Sequence, residues 1–84
     1  MGTTLHEGWS ILTFADRPAL AGLLRYEKVG AIYQWAVDVP ACHRHNGYTA
    51  IVDPLSVRSV LPCTDIEAVQ FMSSPAPLRE PPAA

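Results

Sequence analysis

An alternating stretch at residues 31–53 limits most strongly how this chain can fold. Apolar side chains occupy its odd positions up to Ala41, with the period of two that a strand with one buried face requires. Asn46 and Gly47 follow, and this pair favours the positive φ angles of a two-residue type I′ turn. The stretch therefore predicts a β-hairpin with Asn46-Gly47 at its tip and Ala41 opposite Val52.

Two segments precede this hairpin. Residues 8–14 are apolar and partly alternating, which predicts a strand covered on both faces. Asp16 suits an N-cap and Pro18 suits a first helical turn. Because Leu20, Leu23 and Leu24 then recur at helical spacing before Gly30 ends the segment, the pattern predicts a helix over residues 17–28.

Two further elements follow the hairpin. Residues 53–56 predict a turn with proline at its second position, and residues 57–61 predict a short strand. Thr64 or Asp65 is suited to cap a final helix that has an acid in its first turn. In that helix we expect the apolar positions to face inward, namely Ile66, Val69 and Met72.

The predicted fold class is α+β, in the order β-α-β-β-β-α. We expect the last three strands to form an antiparallel meander sheet with two helices on one face. Residues 1–72 are expected to form a single compact domain. Residues 73–84 contain four prolines and no apolar pattern, which predicts a disordered proline-rich tail.

Charge and hydropathy exclude several classes of partner. The chain of 84 residues has a net charge of −2, and its six Lys and Arg residues are scattered. Because nucleic-acid binding usually needs clustered positive charge, we expect no direct nucleic-acid contact. No apolar run approaches the length of a membrane span, so we expect no membrane partner and a cytoplasmic location.

Four residues have the chemistry of metal ligands or redox groups: Cys42, His43, His45 and Cys63. Their spacing differs from the paired ligands of structural zinc sites, and in a regular strand Cys42 points away from the two histidines. We expect two free thiols, with a single disulfide as the alternative. No nucleophile motif or phosphate-binding glycine loop is present, so we expect no cofactor and no enzymatic activity.

These exclusions favour a small non-enzymatic protein-binding module. The expected contact residues are Arg44, His45 and Tyr48 near the hairpin tip, with the acids Asp53, Asp65 and Glu67 as a second surface. In size and charge the chain is similar to phage-borne inhibitors of a larger host or defence complex. One alternative is a metal-binding or redox-responsive regulator using the four ligand-type residues. Another is a homodimeric structural subunit.

Overall fold

The computed structural model describes residues 4–73, which form a single sheet and one α-helix. A 3-10 turn at Pro54–Ser56 precedes the last strand. The α+β class is confirmed, but the described chain has five strands and one helix rather than four strands and two helices. The elements are β1 (Gly8–Phe14), β2 (Leu20–Val29), β3 (Ile32–Val39), β4 (Tyr48–Val52), β5 (Val57–Pro62) and α1 (Asp65–Ser73).

The strands lie in the order β4-β3-β2-β1-β5, and each neighbouring pair is antiparallel. The predicted meander is wrong at its last step, because β5 pairs with β1 at the opposite edge instead of with β4. Only residues 53–56 join these two edge strands, a path of at most about 17 Å. A flat five-stranded sheet would separate its edges by about 19 Å. The sheet therefore curls, and its concave face encloses the core.

The predicted helix over residues 17–28 is wrong, because residues 20–29 form β2 at the centre of the sheet. The spacing of Leu20, Leu23 and Leu24 suits a helix locally, but β2 pairs along its length with β1 and β3. The packing of β2 against β3 requires a glycine at position 22, since an added Cβ would lie 2.4 Å from the Asp38 carbonyl oxygen. Long-range pairing thus overrides the local helical pattern.

The tight hairpin turn lies at Gly30-Ala31, where Gly30 has φ 63°, as a type II′ turn allows. Asn46-Gly47 is not a type I′ turn, because neither residue has positive φ. Pro40 follows the end of β3, and residues 40–47 form a loop. The observed register pairs Val37 with Ala50, six residues from the predicted register, but the apolar face predicted for β3 still meets the even positions of β4.

The final strand and helix were predicted close to their observed bounds. Thr64 caps α1, because its Oγ1 accepts from Glu67 N–H at 3.1 Å while Glu67 Oε1 accepts from Thr64 N–H at 2.9 Å. Ala68 and Met72 are buried, but the prediction that Ile66 faces inward is wrong, since Ile66 is exposed. The helix packs on β2, where Met72 Sδ accepts a hydrogen bond from Ala21 N–H at 3.2 Å.

The core is apolar and continuous across the sheet and the helix. Its largest fully buried side chains are Phe14, Leu12, Leu24 and Val37. Among the described residues, no helix has the length and apolar character needed to cross a membrane. The predicted disordered tail lies outside the described residues from 74 onward, and Ser73 belongs to α1.

Candidate functional site

The β2–β3 hairpin extends beyond the strands that flank it. Pairing of β1 with β2 ends at Leu24, and pairing of β4 with β3 begins at Trp35. Between these points, residues 25–34 have strand partners only within the β2–β3 hairpin in the described chain. We call residues 25–34 the projecting ribbon. Because it lies past the core, side chains on both its faces have access to solvent.

One face of this hairpin carries three aromatic side chains, Tyr26, Tyr33 and Trp35, which we call the aromatic strip. Tyr26 pairs directly with Trp35, and the ring centroids are 4.9 Å apart with planes at 46°. Tyr26 also stacks on Tyr33 at 5.3 Å and 11°. The two tyrosines remain 47% and 57% exposed, while Trp35 is half-buried against the core. The strip is therefore an ordered aromatic surface with one side open to solvent.

A cation borders the aromatic strip. Lys28 lies opposite Tyr33 in the strand register, and its Nζ is 5.9 Å from the centroid of the Tyr33 ring. At the other side, Glu7 Oε2 accepts a hydrogen bond from Tyr26 N–H at 3.4 Å. This contact satisfies a backbone donor of β2 just beyond the last residue that pairs with β1. Charged groups of both signs thus lie next to the strip.

The opposite face of the hairpin is polar and internally paired. Arg25 donates to both Asp38 carboxylate oxygens, at 2.7 and 3.3 Å, and also to Glu27. Gln34 donates to Glu27 at 2.9 Å, and Thr49 donates to Asp38 at 2.7 Å. The hydrogen bond from Arg25 holds the pKa of Asp38 below its ordinary value, and the bond from Thr49 acts in the same direction. This network ties the ribbon to β4 and leaves the aromatic face as the one with exposed rings.

The structure brings together the contact residues expected at Arg44, His45 and Tyr48. A tight turn places Arg44 at its tip, because Cys42 and His45 exchange backbone hydrogen bonds of 3.0 and 3.3 Å. The His45 ring meets Tyr48 edge-on at 5.5 Å. Its Nδ1 lies 2.8 Å from the Asn46 carbonyl oxygen, and its Nε2 is buried without a hydrogen-bond partner in the described chain.

The three acids nominated as a second surface lie at the starts of two elements. Asp53 Oδ1 accepts from Leu55 N–H at 3.0 Å at the 3-10 turn. Asp65 Oδ1 accepts from Ile66 N–H at 2.8 Å, and Glu67 completes the capping box of α1. Each carboxylate therefore has a structural role in satisfying a free backbone donor.

The ligand-type residues are not gathered into one site. Cys42 Sγ donates to the Met72 carbonyl oxygen at 3.8 Å near the end of α1, whereas Cys63 lies two residues before its start. A helix of nine residues separates them by about 13 Å. Within residues 4–73, no three His, Cys, Asp or Glu side chains form a group that could hold a metal ion. The described cysteines are free thiols.

The two thiols differ in their surroundings. Desolvation alone would raise the pKa of Cys42, but hydrogen bonds from the Arg44 backbone and the Ser73 side chain lower the pKa below its ordinary value overall. Burial raises the pKa of Cys63, and the negative charge of Glu67 acts in the same direction. Cys42 is therefore the more acidic thiol of the two.

Comparison with protein-family models, with curated proteins and with solved structures finds no match. The described part of the chain also contains no pocket. The sequence does not predict the aromatic strip, because the helix predicted over residues 17–28 contains Tyr26 and the buried face predicted for the strand contains Trp35. The signal was present in the alternation of Tyr26 with Arg25 and Glu27, which places an aromatic side chain and charged side chains on opposite faces of a strand.

Proposed function

We propose that this chain is a small non-enzymatic protein-binding module and that its main contact surface is the aromatic strip. The observation that carries the proposal is the half-exposed stack of Tyr26 and Tyr33, supported from below by Trp35. Tyrosine and tryptophan dominate binding hot spots, because they bury a large area and lose few rotamers on binding. Their stacking in the unbound chain further reduces the conformational entropy lost on binding.

The ribbon supports the same proposal through its shape. It extends past β1 and β4, so a partner can approach the strip without meeting the body of the sheet. At the tip, Val29 and Ile32 add exposed apolar surface on the other side of the ribbon. Exposed apolar groups with charged residues beside them are typical of protein interaction sites.

The surface around Arg44, His45 and Tyr48 is the second candidate contact area. Its aromatic content is smaller, and its exposed cation lies in a loop rather than on paired strands. The acids Asp53, Asp65 and Glu67 give less support to an inhibitor that uses carboxylates against a host or defence complex, because each already accepts a backbone hydrogen bond. We therefore place binding on the strip first.

A homodimeric subunit is the second candidate function, and the open edges of the projecting ribbon favour it. Backbone groups of residues 25–29 that point away from β3 have no strand partner in the described chain. A second copy pairing along this edge would extend the sheet. Sedimentation velocity at micromolar concentration tests this function, because a dimer has twice the mass of the monomer.

Affinity capture from a lysate of the native host, read by quantitative mass spectrometry, tests the binding proposal. The test variant is Y26T/Y33T, because threonine retains strand propensity while removing both rings. L61T/I66T is the matched control, since it removes two similarly exposed apolar side chains from β5 and α1. We expect Y26T/Y33T to lose proteins that the wild type and the control retain. Equal capture by all three would contradict the proposal.

A further inference from the structure

We propose that the aromatic strip is a site for proline-rich extended segments, and that its occupant in this protein is residues 75–82 of the same chain. This inference rests on the proposed function, because it assigns a ligand class and a competitor to the same surface. Two independent observations carry it. One is the exposed, angled aromatic surface, and the other is the sequence SPAPLREPPAA that follows α1.

The segment has the backbone restrictions of a polyproline II ligand. Pro75, Pro77, Pro81 and Pro82 have φ fixed near −65° by their rings. Residues that precede a proline are also restricted to extended conformations, and here they are Ser74, Ala76 and Glu80. Little conformational entropy is therefore lost when the segment binds, which is why aromatic surfaces recognise proline-rich chains.

The order of residues places apolar groups on one side of such a helix. Polyproline II has three residues per turn, so Pro75, Leu78 and Pro81 share a face at intervals of about 9 Å. The two cross-strand pairs that carry the strip, Tyr26 with Trp35 and Lys28 with Tyr33, lie about 7 Å apart along the ribbon. Two successive residues on this face of the segment, such as Leu78 and Pro81, are therefore far enough apart to contact both cross-strand pairs of the strip.

The end of α1 lies within reach of the strip. Met72 contacts the Ala21 backbone, and Tyr26 is five residues further along β2, a distance of about 17 Å. From Ser73 to Pro81 an extended segment covers about 25 Å. A tether of this length gives an effective concentration in the millimolar range, so a weak contact is occupied within one chain.

Charge also matches between segment and site. Glu80 directly precedes Pro81, and Lys28 lies at the edge of the strip over the Tyr33 ring. Arg79 in the segment has Glu7 beside Tyr26 as an opposite charge. With the segment bound, the strip is covered, and a partner must displace it in order to bind.

Fluorescence of Trp35 tests the contact without any partner. Trp9→Phe leaves Trp35 as the single tryptophan, and this variant is compared as the full chain and as a chain ending at Ser73. We expect emission of the full chain at shorter wavelength, because the segment excludes water from the ring. Adding a synthetic peptide of residues 74–84 at millimolar concentration to the shortened chain should restore the shift. If Trp9→Phe impairs folding, the indole N–H resonance of Trp35 in the wild type gives the same comparison.

Single substitutions in the full chain identify the face that binds. Pro81→Ala should remove most of the shift, whereas Pro77→Ala, on another face of the segment, should keep it. Identical emission of full and shortened chains would overturn the inference. A shift that disappears on dilution would also overturn it, because the occupant would then be the segment of a second copy.

Capture experiments separate this inference from the proposed function. The shortened chain should retain several-fold more partner protein than the full chain, since its strip is open. A shift in Trp35 emission with no protein captured by either chain would contradict the proposed function and support the inference. Capture that depends on Tyr26 and Tyr33, with no change in Trp35 emission on shortening, would support the proposed function and contradict the inference.

Discussion

Gly22 of β2 lies against the Asp38 carbonyl of β3 so closely that a Cβ on Gly22 would be 2.4 Å from the oxygen. Gly22→Ala should therefore force the two central strands apart and lower the free energy of unfolding by about 2 kcal/mol or more. Gly47→Ala, whose Cβ would meet its nearest atoms at 3.2 Å, should cost less. Urea unfolding of both variants measures the two losses of stability. A larger loss for Gly47→Ala than for Gly22→Ala would contradict the central position of β2.

Gly30 is the glycine whose backbone conformation defines the hairpin turn. Gly30→Ala should lower the free energy of unfolding by about 1 kcal/mol or more, because alanine resists positive φ. Within the described residues, no atom beyond Gly30 and its two chain neighbours lies within 4 Å of the added Cβ, so the loss of stability measures the backbone conformation alone. Asn46→Ala should change stability by less than about 0.5 kcal/mol. A large loss of stability for Asn46→Ala and none for Gly30→Ala would instead support the predicted type I′ turn at residues 46–47.

The pairing of Arg25 with Asp38 should make stability depend on pH. The folded pKa of Asp38 lies below its unfolded value of about 3.9, so the stabilisation is complete above that value and is lost as the pH falls through the folded pKa. Asp38→Asn removes this contribution. Plots of the urea midpoint against pH for wild type and variant should converge below about pH 4. Parallel plots would show that the pairing contributes no pH dependence.

The capping box at the start of α1 should contribute measurably to stability. Thr64→Ala removes the oxygen that accepts from Glu67 N–H and should lower the free energy of unfolding by about 1 kcal/mol. Thr64→Ser retains a hydroxyl and should restore most of the loss. Thermal melts followed by circular dichroism measure the stability of both variants. Equal melting temperatures for the alanine and serine variants would show that the Thr64 hydroxyl does not stabilise α1.

Local sequence signals predicted the elements whose structure is decided locally. Alternation at residues 8–14 predicted β1, the turn at residues 53–56 placed the start of β5, and Thr64 with Glu67 predicted the start of α1. The spacing of Leu20, Leu23 and Leu24 favours a helix locally, so only the pairing partners of β2 make this segment a strand. The strand order depends on which strand β5 pairs with, and no local sequence pattern encodes that choice.

The candidate site was predicted less well than the fold, for a related reason. Exposure of Tyr26 and Tyr33 depends on where β1 and β4 end relative to the β2–β3 hairpin. Once Tyr26 was assigned to a helix, the ring stack could not be inferred. By contrast, Arg44, His45 and Tyr48 were expected together and lie together, because they are neighbours along the chain.

The most direct test of the central claim is the dissociation constant of a captured partner, measured by isothermal titration calorimetry. The partner is titrated into the wild type, Y26T/Y33T and the control L61T/I66T. If the aromatic strip is the main contact surface, Y26T/Y33T should bind at least about 30-fold more weakly, which corresponds to about 2 kcal/mol, while the control binds as the wild type does. An unchanged dissociation constant for a folded Y26T/Y33T would contradict the account.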